Sequence, residues 1–581
     1  MSKAAKRAGR RHSATGGLQT GGLQLRLLLA GLLILGGWLW FGNLDTRHLI
    51  RPDEGRYAEI AREMLVTGDW LTPRLNGYKY FEKPALQYWA TALSFQWFGV
   101  DEWTARLWPA LTGFLALLAA AGMARSMAGH ASQRTGSALL AALVLGSSLL
   151  YAFTGHVLSL DMGVAVFMSL AVFALTLAQM DGRSPATRRA WMLAGWACMA
   201  LAVLSKGLIG IVLPVAAAGC YILIQRDWQL LRRLELLRGG ALFLLIAAPW
   251  LIAVSLANDE FFRFFFIHEH FERFLTKVHG RYQPMWYFLP ILLGGLLPWT
   301  LAALAAGFSA WRRDENKQFK PARMLLLWCV LVFVFFSVSG SKLPSYILPL
   351  FPALAVLTGL YLAGAPRWVH ALQALAALIA GVALMLGSTQ LQRIADAELP
   401  MEMLAEYAPW LLSAGLCGVL GGAVSLWMVQ RQWLLRAASL LGMSSLAMTQ
   451  IALSGHEVLS PLYSAYHMAE RVKPLLSSDT PFYSVNTFDH SLPFYLGRTV
   501  TMVSYKDELS QPIAWQPGDF IPDLKSFANI WNQQREAYAV YSANDYDNPA
   551  THPTMPHRLI MRDPRRVLIG TVNASQELPA R

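Results

Sequence analysis

The chain has 581 residues, 55% of them hydrophobic and only 15% charged, whereas an average soluble domain is about 25% charged; this excludes a soluble globular protein. The net charge of +13 sits in short clusters between apolar runs and forms no single basic face, which excludes a nucleic-acid partner. All four cysteines (Cys198, Cys220, Cys329 and Cys417) fall inside apolar runs, so no disulfide framework or zinc knuckle is expected.

Residues 1–23 form a basic segment with Lys3, Lys6, Arg7, Arg10 and Arg11. The apolar run 24–41 follows. It is long for a cleaved signal, and its exit, Trp38-Leu39-Trp40-Phe41-Gly42, has no small-x-small cleavage site, so it reads as an uncleaved first span. Further runs follow at 104–123, 137–154, 158–179, 190–205, 207–224, 239–256, 286–307, 324–338, 346–363, 369–388, 409–428 and 434–453. That predicts about thirteen membrane spans, each near the length a helix needs to cross the hydrocarbon. Basic residues recur in alternate loops, among them Arg125 and Arg134, Arg188 and Arg189, Arg232 and Arg233, Arg312 and Arg313, and Arg431 and Arg436. By the positive-inside rule the N-terminus and these loops are cytoplasmic, and an odd span count leaves the tail outside.

Three outside segments exceed a turn. The first is 42–103. Tyr57, Ile60, Ala61, Met64 and Leu65 have helical spacing there, and Leu86, Trp89, Leu93 and Trp97 repeat it; both predict helices lying in the membrane interface. The second, 257–284, carries the stripe Phe264, Ile267, Phe271, Phe274, Leu275 and Val278. The third is the tail 455–581, where runs such as Phe482-Tyr483-Ser484-Val485 and Ala537-Tyr538-Ala539-Val540-Tyr541 predict a small α/β domain. The expected fold is thus an α-helical polytopic membrane domain over 24–454 with a C-terminal extracytoplasmic α/β domain.

The chemistry concentrates in Arg51-Pro52-Asp53-Glu54-Gly55-Arg56-Tyr57 and Tyr80-Phe81-Glu82-Lys83-Pro84. Charges beside lipid are costly unless paired or used. Asp53 has the place of a helix N-cap. Arg56, in the first turn, opposes the helix dipole, an arrangement a bound phosphate would favour. Glu82 and Lys83 read either as a surface ion pair or as a phosphate-holding cation beside a carboxylate. Asp161 and Lys206 are lone charges at the outside ends of apolar runs; Lys206 could snorkel to water, which a short acidic side chain cannot do so far. Lys342 and Tyr346 read as a snorkelling anchor and an aromatic-belt residue, or as part of a site. His268 and His270 lack the His-Glu-x-x-His zinc spacing. All these groups map to one side of the membrane, and span interiors are nearly free of charge, unlike an ion-coupled transporter.

These motifs resemble the bacterial 4-amino-4-deoxy-L-arabinose transferases of lipid A, within the superfamily of protein O-mannosyltransferases and GT-C glycosyltransferases. The resemblance rests on the two motifs above, on Leu204-Ser205-Lys206-Gly207, on His268-Glu269-His270-Phe271-x-Arg273-Phe274 and on Ser341-Lys342-Leu343-Pro344-x-Tyr346. Gly55 stands where Thr is expected in the aminoarabinose enzymes. The resemblance implies a bacterial inner-membrane enzyme that moves a sugar from undecaprenyl phosphate to lipid A phosphate, conferring polymyxin resistance. Arg56, Lys83, Lys206 and Arg273 would hold the donor phosphate, and Tyr80, Tyr346 and Lys342 would line the substrate pocket. Asp53, Asp161 and Glu82 would be catalytic, while Glu82 and His268 would be ligands for a divalent ion, zinc or magnesium. No organic cofactor is expected. Another sugar, a protein or glycan acceptor, or a non-catalytic polyprenyl-lipid flippase are the alternatives, and Asp53→Asn separates enzyme from flippase.

Overall fold

The computed structural model describes residues 22–272, 283–313, 317–396, 399–518 and 520–573. Every apolar run falls on a helical element, but not every one is a full span. Among the described residues, eight helices are long and apolar enough to cross a membrane, and Met285–Gly295 with Thr300–Arg312, bent by 112°, counts as a ninth where the pair is one broken span. The other runs among the thirteen expected fall on helical elements with local features of their own. The run 137–154 breaks at Ser148 into Arg134–Ser147 and Leu149–Thr154. Ile209–Gln225 is apolar but short, whereas the first helix, Gly22–Phe41, has 20 residues and the length of a span. The run 190–205 lies in Pro185–Lys206, whose first turns carry Arg188 and Arg189. The outermost helix, Leu236–Ala257, exposes Leu237, Leu244, Leu245, Ile252 and Leu256, as a lipid-facing surface does.

The helix Asp53–Thr67 ends at Gly68, whose left-handed backbone (φ 72°) lets its N–H reach the Met64 carbonyl. Its sequence predicted a helix lying at the interface, yet residues 54–64 are all buried. The tail covers the face that the membrane was expected to cover. Leu49, Tyr57, Ile60, Met64, Tyr80, Tyr88 and Phe95 share one hydrophobic core with Met468, Val472, Phe482, Leu492, Tyr538 and Leu568. The second helix, Leu86–Phe98, fits the interfacial expectation better, since Leu93 and Trp97 remain exposed. A short antiparallel hairpin, β1 (Arg74–Leu75) and β2 (Tyr78–Lys79), joins the two helices.

The tail holds a five-stranded sheet: β3 (Phe482–Val485), β4 (Thr501–Val503), β5 (Tyr538–Ser542), β6 (Arg558–Arg562) and β7 (Arg566–Gly570), in the order β4-β3-β5-β7-β6. β3 pairs parallel with β4 and β5, whereas β7 pairs antiparallel with β5 and β6. Side chains alternate across it. Phe482, Met502, Tyr538, Val540 and Leu568 enter the core shared with the first loop. Tyr483, Val485, Ala539, Tyr541, Val567 and Ile569 pack on Phe527 and Trp531 of the tail itself. Burial on both faces accounts for the continuous apolar runs in β3 and β5.

The loop is locked by one carboxylate. Glu54 accepts from Arg47 Nη1 (2.7 Å), Arg106 Nε (2.8 Å), the Ile50 N–H (2.9 Å) and the Leu158 N–H (2.9 Å). Arg47, Glu54 and Arg106 are all buried. Burial alone would raise the Glu54 pKa, but Arg106 and Arg47 outweigh it and hold the carboxyl well below the usual carboxylate range. A depressed carboxyl contributes stability that is fully present above its unfolded pKa and lost only as pH falls through the folded one. Glu54→Gln leaves two buried guanidiniums uncompensated and is expected to destabilise the protein by about 3–5 kcal/mol. Thermal unfolding in detergent at neutral pH reads this; an unchanged midpoint would refute it.

Gly55 abuts the tail. A Cβ there would lie 2.6 Å from Ser491 N and 2.7 Å from Ser491 Cα, so the Thr expected from the resemblance cannot be accommodated without backbone movement. Gly55→Ala is expected to lower stability by about 1–3 kcal/mol, with faster protease nicking within 477–510. A variant as stable and as resistant as the parent would show that this approach is not tight.

Candidate active site

Asp53 is the first residue of its helix, and Pro52 holds the N-cap place without a side-chain hydrogen bond. The N-cap expectation for Asp53 is therefore corrected. With no free helix N–H to serve, its carboxylate pairs instead with Arg56 Nη1 at 3.1 Å. Arg56 is buried and reaches the tail, where its Nη2 lies 2.7 Å from Glu508 Oε2. Glu508 is in turn 2.5 Å from His490 Nε2. Burial would raise the Glu508 pKa, but hydrogen bonds and charge from His490 and Arg56 lower it, so it stays anionic.

Around Arg56 stand buried donors with no acceptor. Among the described residues, Arg56 Nε, the Tyr80 hydroxyl and the Tyr88 hydroxyl all lack a hydrogen-bond partner. Burial pushes both tyrosines well above their ordinary pKa, and both feel the charges of Arg56, Glu82 and Glu508. Asp53 and Glu82 also act on Tyr57 and Tyr88. A buried polar group left unpaired costs roughly 1–3 kcal/mol, so three together mark a place built for something that accepts.

A second cluster lies at the ends of two apolar helices. Asp161, in the first turn of Leu160–Gln179, forms an ion pair with Lys206, the last residue of Pro185–Lys206. Ser345 donates to the other Asp161 oxygen at 2.6 Å. The Lys206 ammonium sits 4.7 Å over the Tyr346 ring, a cation–π contact. Lys206 therefore has a partner of its own and does not merely snorkel. Asp53 adds a favourable charge interaction at Lys206, which ties the two clusters into one polar region.

The remaining predicted residues divide. Lys83 Nζ donates to the Glu82 carbonyl at 2.8 Å and lies 3.7 Å from its carboxylate. Lys342 is buried and donates to the Gln283 and Ser339 carbonyls, which fixes the chain after Pro321–Val338 and turns two of its donors to backbone; the reading as a snorkelling anchor is thereby corrected. His268 stacks on Phe264, within Arg263–Glu272, a helix of π type. Arg273, together with Phe274, Leu275 and Val278, lies outside the described residues. Trp515 of the tail touches both Phe81 and Phe264, so Glu82 and His268 stand on elements that share one tail side chain. Among the described residues, neither belongs to a cluster of three metal-ligating side chains.

Sequence reasoning missed Glu508, His490, Tyr88, Ser345 and Trp515. Ser345 lies within the Ser341–Tyr346 motif, and Tyr88 lies one turn along the helix from the Tyr80–Pro84 motif. Nothing in the local sequence marks Glu508, because its role comes from long-range packing of the tail.

The tail and membrane parts match two family models. That of the aminoarabinose transferase C-terminal domain covers residues 468–571, and that of dolichyl-phosphate-mannose-protein mannosyltransferase covers residues 27–268. The undecaprenyl phosphate-alpha-4-amino-4-deoxy-L-arabinose arabinosyl transferase of Pseudomonas aeruginosa (strain UCBPP-PA14) is 37% identical over 332 residues, 56% of this chain and 58% of that one. The same-named protein of Erwinia tasmaniensis is 36% identical over 320 residues, 54% of this chain and 55% of the relative. The matched stretch thus spans less than two thirds of these relatives. Crystal structures of ArnT from Cupriavidus metallidurans extend the likeness. The apo form has a TM-score of 0.88 at 36% identity and covers 95% of this chain and 100% of its own. The form bound to undecaprenyl phosphate gives the same score and identity over 96% of this chain and 100% of its own. A whole-length match at this identity, with the same two-part architecture, shows that this polytopic membrane protein belongs to the aminoarabinose transferase family.

Proposed function

We propose that the chain transfers 4-amino-4-deoxy-L-arabinose from undecaprenyl phosphate to a phosphate of lipid A. In this reading it works on the periplasmic face of the bacterial inner membrane, with its N-terminus in the cytoplasm and its tail in the periplasm. The observation that carries the proposal is the set of acceptor-less donors, Arg56 Nε and the Tyr80 and Tyr88 hydroxyls, gathered beside a guanidinium. A phosphate is the ligand that satisfies them, because its oxygens accept several charge-assisted hydrogen bonds at once. The names of the relatives and the undecaprenyl phosphate bound in the Cupriavidus structure support the choice of donor.

The bond between the sugar's anomeric carbon and the donor phosphate oxygen breaks, and undecaprenyl phosphate leaves with the electron pair. An oxygen of the acceptor phosphate forms the new bond to that carbon. Arg56, Lys206 and Lys83 stabilise charge on the departing phosphate, with Arg273 as a further expected contributor. The acceptor oxygen is already anionic near neutral pH, since a phosphate monoester's second pKa is about 6, so no general base is needed. Asp53 and Asp161 then orient the acceptor and offset positive charge on the sugar. Glu82 and His268 offer a carboxylate and an imidazole, donors that suit zinc better than magnesium. No third ligating side chain joins them among the described residues, so an ion there would complete its shell with oxygens of substrate or water and would add positive charge beside the leaving group. The product carries an added amine that offsets lipid A's negative charge, which weakens binding of cationic peptides such as polymyxin.

Three measurements test this reading. Membranes containing the protein should convert lipid A when given undecaprenyl-phosphate aminoarabinose, read by mass spectrometry of lipid A; no transfer to any acceptor would overturn the proposal. Tyr88→Phe separates a ligand role from a structural one. Removing an unsatisfied hydroxyl should leave the ligand-free protein as stable or more so, while transfer falls about tenfold. Arg56→Ala should reduce transfer by about 10²–10³-fold, as loss of one stabilising donor does. Full activity in both variants would sink the phosphate assignment.

A further inference from the structure

A third polar cluster lies where the tail leaves the last membrane helix. Among the described residues, His48, Glu457 and His467 are the one group of three side chains able to hold a metal, with their ligating atoms all within 4.8 Å of one another. They come from three separate pieces of chain. His48 precedes the helix Asp53–Thr67, Glu457 lies in the turn His456–Leu459 after Leu434–Gly455, and His467 lies on Tyr466–Val472.

The surroundings orient these groups as a metal site requires. His48 Nδ1 is 2.9 Å from Glu102 Oε1, while its Nε2 faces Glu457 Oε1 at 3.3 Å. A histidine that ligates zinc through one nitrogen commonly gives the other to a carboxylate, which fixes the tautomer and the ring. Glu102 is itself held by the Tyr495 hydroxyl at 3.2 Å. The Tyr466 ring stacks on His48 at 3.4 Å, and Glu457 Oε2 accepts the His48 N–H at 2.7 Å. Two imidazoles and a carboxylate with 2.0–2.2 Å bonds require ligand atoms about 3.3–3.5 Å apart in a tetrahedron, so closure by at most about 1.5 Å suffices.

We propose that His48, Glu457 and His467 bind a zinc-class divalent transition-metal ion, with Glu102 positioning His48 and water in the fourth place. The ion ties the first outside loop to the start of the tail. Its donors exclude magnesium and calcium, which prefer all-oxygen shells. The proposal is independent of the transfer reaction.

The test uses the full chain in detergent, stripped by chelator and titrated with zinc. Cobalt(II) serves as a second probe, since it absorbs visibly when tetrahedral. The double variant Glu82→Gln with His268→Ala removes the other candidate ligands. That variant should still take up one equivalent of zinc, with a rise in unfolding temperature. Adding the exposed-site substitution His467→Ala should abolish the cobalt band and weaken zinc binding at least tenfold, and Glu102→Gln should weaken it by about 10–100-fold. Zinc uptake unchanged by His467→Ala would overturn the proposal. So would loss of all uptake in the double variant while its His467 is intact, which places the ion at Glu82 and His268 alone.

Discussion

The buried carboxylate of Glu54 is the interaction on which the rest depends. It receives Arg47 from the loop, Arg106 from the second turn of the long membrane helix Glu102–Met127, and the backbone of Ile50 and Leu158. One residue before it stands Asp53, and two after it stands Arg56; three beyond Leu158 lies Asp161. A single anion therefore sets the rotation of one helix and the entry of another, and both carry the polar side chains of the site. A lone buried charge would be prohibitive, whereas one matched by two guanidiniums and two N–H groups is tolerable. The reward is positional: side chains more than a hundred residues apart are referred to one fixed point.

The tail completes what that point begins. Its sheet shares a core with the first loop, Glu508 holds Arg56, and the Ser491 backbone lies against Gly55. Further hydrogen bonds cross the same boundary: Asn76 with Val500, Arg62 with the Gly497 carbonyl, and Leu49 with the Tyr495 hydroxyl. The boundary near residue 455 thus divides composition more than structure. Polar and apolar sequence part there, yet the core does not.

This explains which parts were legible in the sequence. Helices between Arg367 and Gly455 were clear because apolar length and short polar breaks are local properties. Asp53, Arg56, Glu82, Asp161 and Lys206 stood out because charge beside lipid is costly wherever the chain turns next. Two things were hidden. The stripe of Tyr57, Ile60 and Met64 shows that a face is buried but not by what, and here a protein sheet takes the place assigned to lipid. Glu508 and Trp515 sit in ordinary polar sequence, and their importance arises only from contacts made across four hundred residues. Hydropathy likewise does not register a break such as that at Ser148 or a 112° bend.

The placement of Trp515 has a consequence for supply. Its ring is lodged against Phe81 on one loop and Phe264 on another, so one tail side chain pins two segments of the membrane part together. In the transfer proposed above, the donor is lipid-borne and reaches Arg56 through the plane of the bilayer. Its availability is a surface density, set by how crowded the leaflet is, and diluting or concentrating the surrounding aqueous phase leaves it unchanged.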